Sequence, residues 1–193
     1  MAQAATADGI DLAIASSYRD FASQTRIWRA KLNGERPVLD AQQQPVALME
    51  LSERERLYAI LLYSALPGTS RHHWGTDLDI FDKQALPNGY RLQLTPDEYG
   101  PAGPFFQATC WLTTHAKRFG FFRPYRHFLG GVAPEPWHLS YRPLASPYLA
   151  SLDTAKLLGV LKATNLLSPD LLEREIYEII EKYVNNISDN EDE

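Results

Sequence analysis

The chain reads as an α+β protein: a small central antiparallel sheet flanked by helices, ending in two C-terminal helices. Three observations point there. Short alternating or apolar segments of strand length (Ile10–Ile14, Thr76–Ile80, Tyr90–Leu94, Phe119–Phe122, Trp137–Tyr141) are scattered among longer helical stretches instead of alternating regularly with them. Helix-start signals stand at Ser52-Glu-Arg-Glu55, a capping box, and at Ser168-Pro169-Asp170, an N-cap followed by proline in the first turn. With 193 residues, 45% of them hydrophobic, the chain can bury one core, and nothing suggests two. The domain is expected over residues 1–187, with the acidic tail 188–193 disordered.

The elements follow in order. Ile10–Ile14 is a short strand delivering Ser16 to Arg19 at its carboxyl end, and Asp20 or Ser17 can cap a helix to about Leu32, with Gln24 close to Arg19. Residues 33–47 are polar, contain Gly34 and Pro37, and read as a loop. A helix from the capping box runs to about Ala65, where Pro67-Gly68 ends it. Thr76–Ile80 and Tyr90–Leu94 are strands, the Pro/Gly-rich run 96–104 is a loop, and Phe106–Arg118 is a helix with Trp111 and Leu112 inward and His115 at its rim. Pro134 and Pro136 disfavour a helix at Glu135, so that residue sits on a stiff turn before the core strand Trp137–Tyr141. Helices over 148–163 and 169–187 follow, the second with an apolar face of Leu172, Ile176, Ile179, Ile180, Tyr183 and Ile187.

Charge and cysteine content narrow the classes. The formal net charge is −5, but Asp189, Glu191, Asp192 and Glu193 contribute four of those charges and leave −1 for residues 1–188. No basic stripe exists, which argues against a nucleic-acid partner. Cys110 stands alone, so no intramolecular disulfide forms; its apolar neighbours suggest core packing, and the composition fits a reducing, cytoplasmic compartment. No apolar run is long enough to cross a bilayer, and no basic amino end followed by an apolar stretch marks a secretory signal.

Chemistry concentrates in two segments. Ser70-Arg-His-His-Trp-Gly-Thr-Asp-Leu-Asp79 and Glu135-Pro-Trp-His138 together supply imidazoles, a carboxylate and a spare carboxylate. Catalytic zinc is typically held by three nitrogen or oxygen ligands with a fourth position open to water, and a nearby carboxylate serves as general base. His72, Asp79 and His138 are the candidate ligands and Glu135 the candidate base. Spacing alone does not separate His72 from His73. Nor does it separate Asp77 from Asp79, which a strand places on one face. The inert alternative is that these histidines are hydrogen-bonded residues in aromatic surroundings supplied by Trp74 and Trp137.

Ser70-x-His72-x-x-Gly75-x-Asp77-x-Asp79 and Glu135-x-Trp137-His138 resemble the signatures of the VanY-type zinc D-alanyl carboxypeptidases, which trim peptidoglycan stem peptides. Ser16-Ser17-Tyr18-Arg19 with Gln24 resembles that family's third block. The resemblance implies a LAS-type zinc peptidase fold and one Zn2+ per chain held by His72, Asp79 and His138. It implies Glu135 as base and Arg19 over the scissile carbonyl, with Ser70, Gln24 and Tyr18 receiving the terminal D-alanine. Asp77, where the family usually has a small residue, and Trp137 would support the ligands from behind. The amino end looks short for the family, and a helix cut there is expected to be frayed or partly exposed.

The implied reaction is release of a C-terminal D-alanine from a murein peptide. An LD-carboxypeptidase acting on tetrapeptides in peptidoglycan recycling is the leading expectation. A DD-carboxypeptidase acting on D-Ala-D-Ala pentapeptides is the second. A non-catalytic, zinc-containing peptidoglycan-binding module is a third, which the intact set Arg19, His72, Asp79, Glu135 and His138 disfavours.

Overall fold

The computed structural model describes residues 1–188. Strands β1 (Leu12–Ser16), β2 (Asp77–Asp82), β3 (Phe121–Phe122) and β4 (His138–Tyr141) form one sheet of order β1-β2-β4-β3 in which every neighbouring pair is antiparallel. The helices are α1 (Ala2–Ala7), α2 (Phe21–Leu32), α3 (Glu53–Leu61), α4 (Pro96–Tyr99), α5 (Phe106–His115), α6 (Arg142–Ala150), α7 (Thr154–Lys162) and α8 (Pro169–Ile179). The α+β architecture expected from the sequence is the one found.

Alternation along the two central strands sorts the sheet into an apolar and a polar face. Ile80 and Leu139 are buried with Trp111 and Leu112 of α5, and Leu78 packs beside them. On the other side Asp77, Asp79, His138 and Ser140 are all buried, an arrangement that demands partners for each. A second core lies beyond that polar face. There Trp28 of α2 and Leu57, Ile60 and Leu61 of α3 pack with Leu157, Leu161, Leu172, Ile176 and Ile179 of α7 and α8. The C-terminal helices thus brace α2 and α3, which in turn wall the polar face.

Several expectations are corrected. Tyr90–Leu94 is not a strand: no neighbouring strand pairs with it, Leu94 takes a positive φ of 56°, and Leu92 and Leu94 instead pack against the Tyr99, Phe105 and Trp137 cluster. Within the expected loop 96–104, Thr95 and Glu98 form a capping box that starts the short α4. The single helix over 148–163 is two helices, because Asp153 caps Lys156 N at 3.0 Å and starts α7 afresh. The last helix widens after Ile179 into a π-helical turn, Ile180–Asn185. The wider turn buries Val184, while Tyr183 and Ile187 are only partly buried.

Cys110 is exposed on α5 rather than in the core. Its buried neighbours Ala108, Trp111 and Leu112 occupy the inner face of the helix and turn position 110 outward. Of the two expectations for α1, partial exposure is the one found: Ala2, Gln3, Thr6 and Ala7 are exposed, but Ala5 is fully buried, Met1 and Ala4 pack beside it, and Ile10 N donates to Ala5 O at 2.9 Å. Of the expected disordered tail, Ser188 is buried and its amide donates to Pro124 O at 2.8 Å; residues 189–193 lie outside the described residues.

Candidate active site

Strand pairing assembles the polar cluster. Asp79 of β2 lies directly opposite His138 of β4, Asp77 lies opposite Ser140, and a register shift in β1 sets Ser16 beside Asp79. His72 comes from a 3-10 turn, Arg71–Trp74, that ends at Gly75 with φ 70°. A residue with a side chain would be strained in that left-handed conformation, and the turn is what feeds the chain from His72 into β2. Ligand atoms of His72, Asp79 and His138 all lie within 4.8 Å of one another.

The second ring nitrogen of each histidine fixes which atom faces the cluster. His72 Nδ1 lies 2.9 Å from Ser17 O, a carbonyl that can only accept, so Nδ1 carries the proton and Nε2 turns its lone pair inward. His138 Nε2 lies 2.8 Å from Asp77 Oδ2, which leaves Nδ1 to face inward. His72 Nε2 is then 3.4 Å from Asp79 Oδ2, and His138 Nδ1 is 3.2 Å from Asp79 Oδ1. Asp79 Oδ1 is buried yet makes no hydrogen bond among the described residues. Two imidazole nitrogens and a carboxylate turned on one point, each imidazole held from behind by an acceptor, fit a zinc ion by donor chemistry and by outer support.

The surroundings are electrically arranged for a cation. Burial favours neutral acids at Asp77 and Asp79, but the adjacent His138, with Arg71 and Thr76 at Asp77 and the nearby His72 at Asp79, holds both well below the usual carboxylate range. Burial works against a charged His138, yet Asp77, Asp79 and Glu135 override it and raise its pKa well above the ordinary value. That is the signature of a strongly negative field at the cluster. Asp77 also receives Arg71 Nε at 2.9 Å and Ser140 Oγ at 2.9 Å, so it stands behind the cluster with its oxygens engaged.

His73 is separated from the cluster by its own hydrogen bonds. Its Nε2 accepts from Gly68 N at 3.1 Å, so Nδ1 carries the proton it shares with Arg19 O. It pins two loops together. Glu135, 8% exposed, is held on its turn by the bond from its amide to Tyr125 O at 2.9 Å, and its Oε2 reaches to 3.3 Å from His138 Nδ1.

A cavity of about 330 Å³ opens over the cluster, with Arg19, Gln24, Ser70, Glu135 and Trp137 in its lining. Arg19 donates through Nη1 to Gln24 Oε1 at 2.9 Å and through Nη2 to Ser16 Oγ at 3.1 Å. Gln24 Nε2 donates to Ala65 O at 2.6 Å, so both ends of that amide are engaged in steadying the arginine. Ser70 is buried in the lining. Tyr18 stands apart: it is 66% exposed and outside the cavity lining. Trp137 is buried against Tyr99 with ring centroids 5.6 Å apart, beside the cavity it helps to line.

The sequence pattern does not single out every cavity residue, and Lys31 is one it leaves aside. Lys31 lines the same cavity, and its Nζ donates to Ser64 Oγ at 2.6 Å. The signal was present in helical spacing, since Gln24, Ile27 and Lys31 at i, i+3 and i+7 share a face of α2.

Comparison with known proteins agrees with this geometry. A protein from Haemophilus influenzae described as uncharacterized is 37% identical over 121 residues, which cover 62% of this chain and 92% of that relative. The structure of VanYB in complex with D-alanine-D-alanine is similar with a TM-score of 0.53 at 23% identity, covering 79% of this chain and 77% of that one. A mutant of the vancomycin-resistance D,D-pentapeptidase VanY, in complex with Zn(II), gives 0.50 at 26% identity, covering 76% and 70%. The family model for VanY, D-alanyl-D-alanine carboxypeptidase, matches residues 1–144, the span that carries the cluster and its walls. The chain therefore belongs to the VanY family of D-alanyl-D-alanine carboxypeptidases.

Proposed function

We propose that the protein is a zinc-dependent carboxypeptidase that releases the C-terminal D-alanine from murein stem peptides. The observation that carries this reading is the convergence of His72, Asp79 and His138 within 4.8 Å beneath an open cavity, with Glu135 at its edge. The Zn(II) held by the similar D,D-pentapeptidase supports the choice of metal. A zinc ion in that set supplies Lewis acidity, which makes water a competent nucleophile near neutral pH.

The chain's own residues do the remaining work. Glu135 accepts the proton of the attacking water and returns it to the departing D-alanine amine, as general base and then general acid. Arg19, fixed by Gln24 and Ser16, presents its guanidinium to the carbonyl oxygen as negative charge develops there. Ser70 offers its hydroxyl to the terminal carboxylate. Gln24 takes the role of positioning Arg19 rather than touching substrate, and Asp77 orients His138.

Within this activity we assign LD cleavage of tetrapeptides as the first reading. Its support is compositional: a lone cysteine fits a reducing, cytoplasmic compartment, and an enzyme that recycles imported muropeptides would meet tetrapeptides there. DD cleavage of pentapeptides is the second, favoured by likeness to a D,D-pentapeptidase. Zinc-loaded protein incubated separately with tetrapeptide and pentapeptide, with free D-alanine measured, tests both. Release from the tetrapeptide alone is the expected result; release from the pentapeptide alone selects the second reading, and release from neither overturns the function.

A further inference from the structure

Resting on the carboxypeptidase reading, we propose that Lys31, steadied by Ser64, is a specificity-determining residue that receives a carboxylate of the peptide substrate at the far end of the cavity. Lys31 is partly buried in the cavity wall. Its ammonium has three protons, of which Ser64 Oγ takes one, and no carboxylate among the described residues lies within ion-pair distance of it. An ammonium withdrawn from water without an acid partner is costly, and a wall that keeps one facing a substrate cavity is built to meet an anion. Burial pushes this amine down to about 8, against the attraction of Glu135, so a docked carboxylate would restore what burial removes.

The chemistry is that of a carboxylate, and the two residues that flank the scissile bond of a diaminopimelate tetrapeptide offer two. One is the terminal carboxylate of D-alanine. The other is the distal carboxylate of a diaminopimelate side chain, which a lysine side chain lacks. Reach favours the distal one. Gln24, which grips Arg19, and Lys31 are seven residues apart on α2, roughly 10 Å along the helix axis. The terminal carboxylate follows the scissile carbonyl within a single residue of roughly 3.5 Å. The diaminopimelate carboxylate lies at the end of a long side chain.

The test measures binding rather than turnover, in zinc-loaded protein carrying Glu135→Ala so that peptides stay intact. Calorimetry gives Kd for a diaminopimelate tetrapeptide, its C-terminal amide and the corresponding lysine tetrapeptide, with Lys31 present and with Lys31→Met. Lys31→Met is expected to weaken the diaminopimelate tetrapeptide about 10- to 100-fold, the range of a charge-assisted hydrogen bond. The lysine peptide should lose nothing further, and Lys31→Arg should restore most of the affinity. If the loss vanishes for the amide instead, the receptor stands and its ligand is the terminal carboxylate. A loss shared equally by all three peptides, or no loss, overturns the proposal. Should Lys31→Met fail to fold, Lys31→Gln carries the same comparison. Failure of the wider reading is distinct: wild-type protein that binds these peptides and hydrolyses none sinks the carboxypeptidase assignment while leaving the receptor in place.

Discussion

His72 and His73 are neighbours in sequence with opposite duties, and only their second ring nitrogens tell them apart. His73 uses both nitrogens to tie Gly68 to Arg19, whereas His72 uses one on Ser17 O and turns the other to Asp79. The same logic divides the two aspartates, since Asp77 has His138, Arg71 and Ser140 around it while Asp79 keeps a buried oxygen without a hydrogen bond. His72→Ala, Asp79→Ala and His138→Ala are expected to lose zinc measured by metal analysis after dialysis. Glu135→Ala should keep about one equivalent while D-alanine release falls roughly 10²–10⁴-fold. Asp77→Ala should bind zinc about 10- to 100-fold more weakly, the usual effect of removing a carboxylate behind a ligand imidazole. Zinc loss from the Glu135 variant as complete as from the His138 variant would make Glu135 a ligand. At Arg19, replacement by lysine exchanges a forked donor held by Gln24 and Ser16 for a point charge. It should lower kcat by more than it raises KM in steady-state kinetics; a change mainly in KM would make Arg19 the carboxylate receptor.

At the level of elements, the C-terminal helices matter because they hold α2 and α3 in place behind the cavity. Their most specific tie is Glu175 of α8, which receives Arg54 Nε at 2.8 Å and Tyr58 Oη at 2.6 Å from α3. Those bonds, Arg54 first and Tyr58 next, hold the Glu175 carboxyl below its ordinary pKa. A carboxylate depressed in the folded state contributes stability above its unfolded pKa of about 4.3, and that contribution fades as pH falls through the folded value. The urea midpoint of Glu175→Gln should therefore fall below wild type at pH 7, and the gap should narrow as pH drops below about 4. A gap that stays constant with pH would show that packing, not charge, is what the residue supplies. These elements were legible in the sequence to different degrees. The strands bearing Asp79 and His138, the capping box at Ser52 and the Leu172, Ile176 and Ile179 part of the last helix's apolar face were read correctly because periodicity and capping are local signals. Tyr90–Leu94 alternates as a strand does, but strand formation needs a paired neighbour, and that is a tertiary fact. The break at Asp153 was missed because apolar residues continue on both sides of it.

For the whole molecule, the candidate metal site is the place where separate parts of the chain are tied. His72 sits in the turn after α3, Asp79 on β2 and His138 on β4 after the Glu135 turn, so the three ligands span 67 positions of sequence. Motif order revealed this set in the sequence, whereas the roles of Gln24, His73 and Lys31 needed the fold, because each depends on a partner distant in sequence: Ala65, Arg19 and Ser64. A cation that joins such distant segments binds the folded chain far better than the unfolded one, and linkage turns that preference into stability. Free zinc at about a hundred times Kd adds roughly 2.7 kcal/mol. For a domain of this size each kcal/mol moves Tm by roughly 2–4 °C, so removing zinc with a chelator should lower Tm by about 5–10 °C. Differential scanning calorimetry with and without chelator checks this, with Asp79→Ala as control. The variant should melt at one temperature in both conditions. A chelator shift that persists in Asp79→Ala would mean that the ion bridging these strands is held elsewhere, and the assignment of the cluster would fall with it.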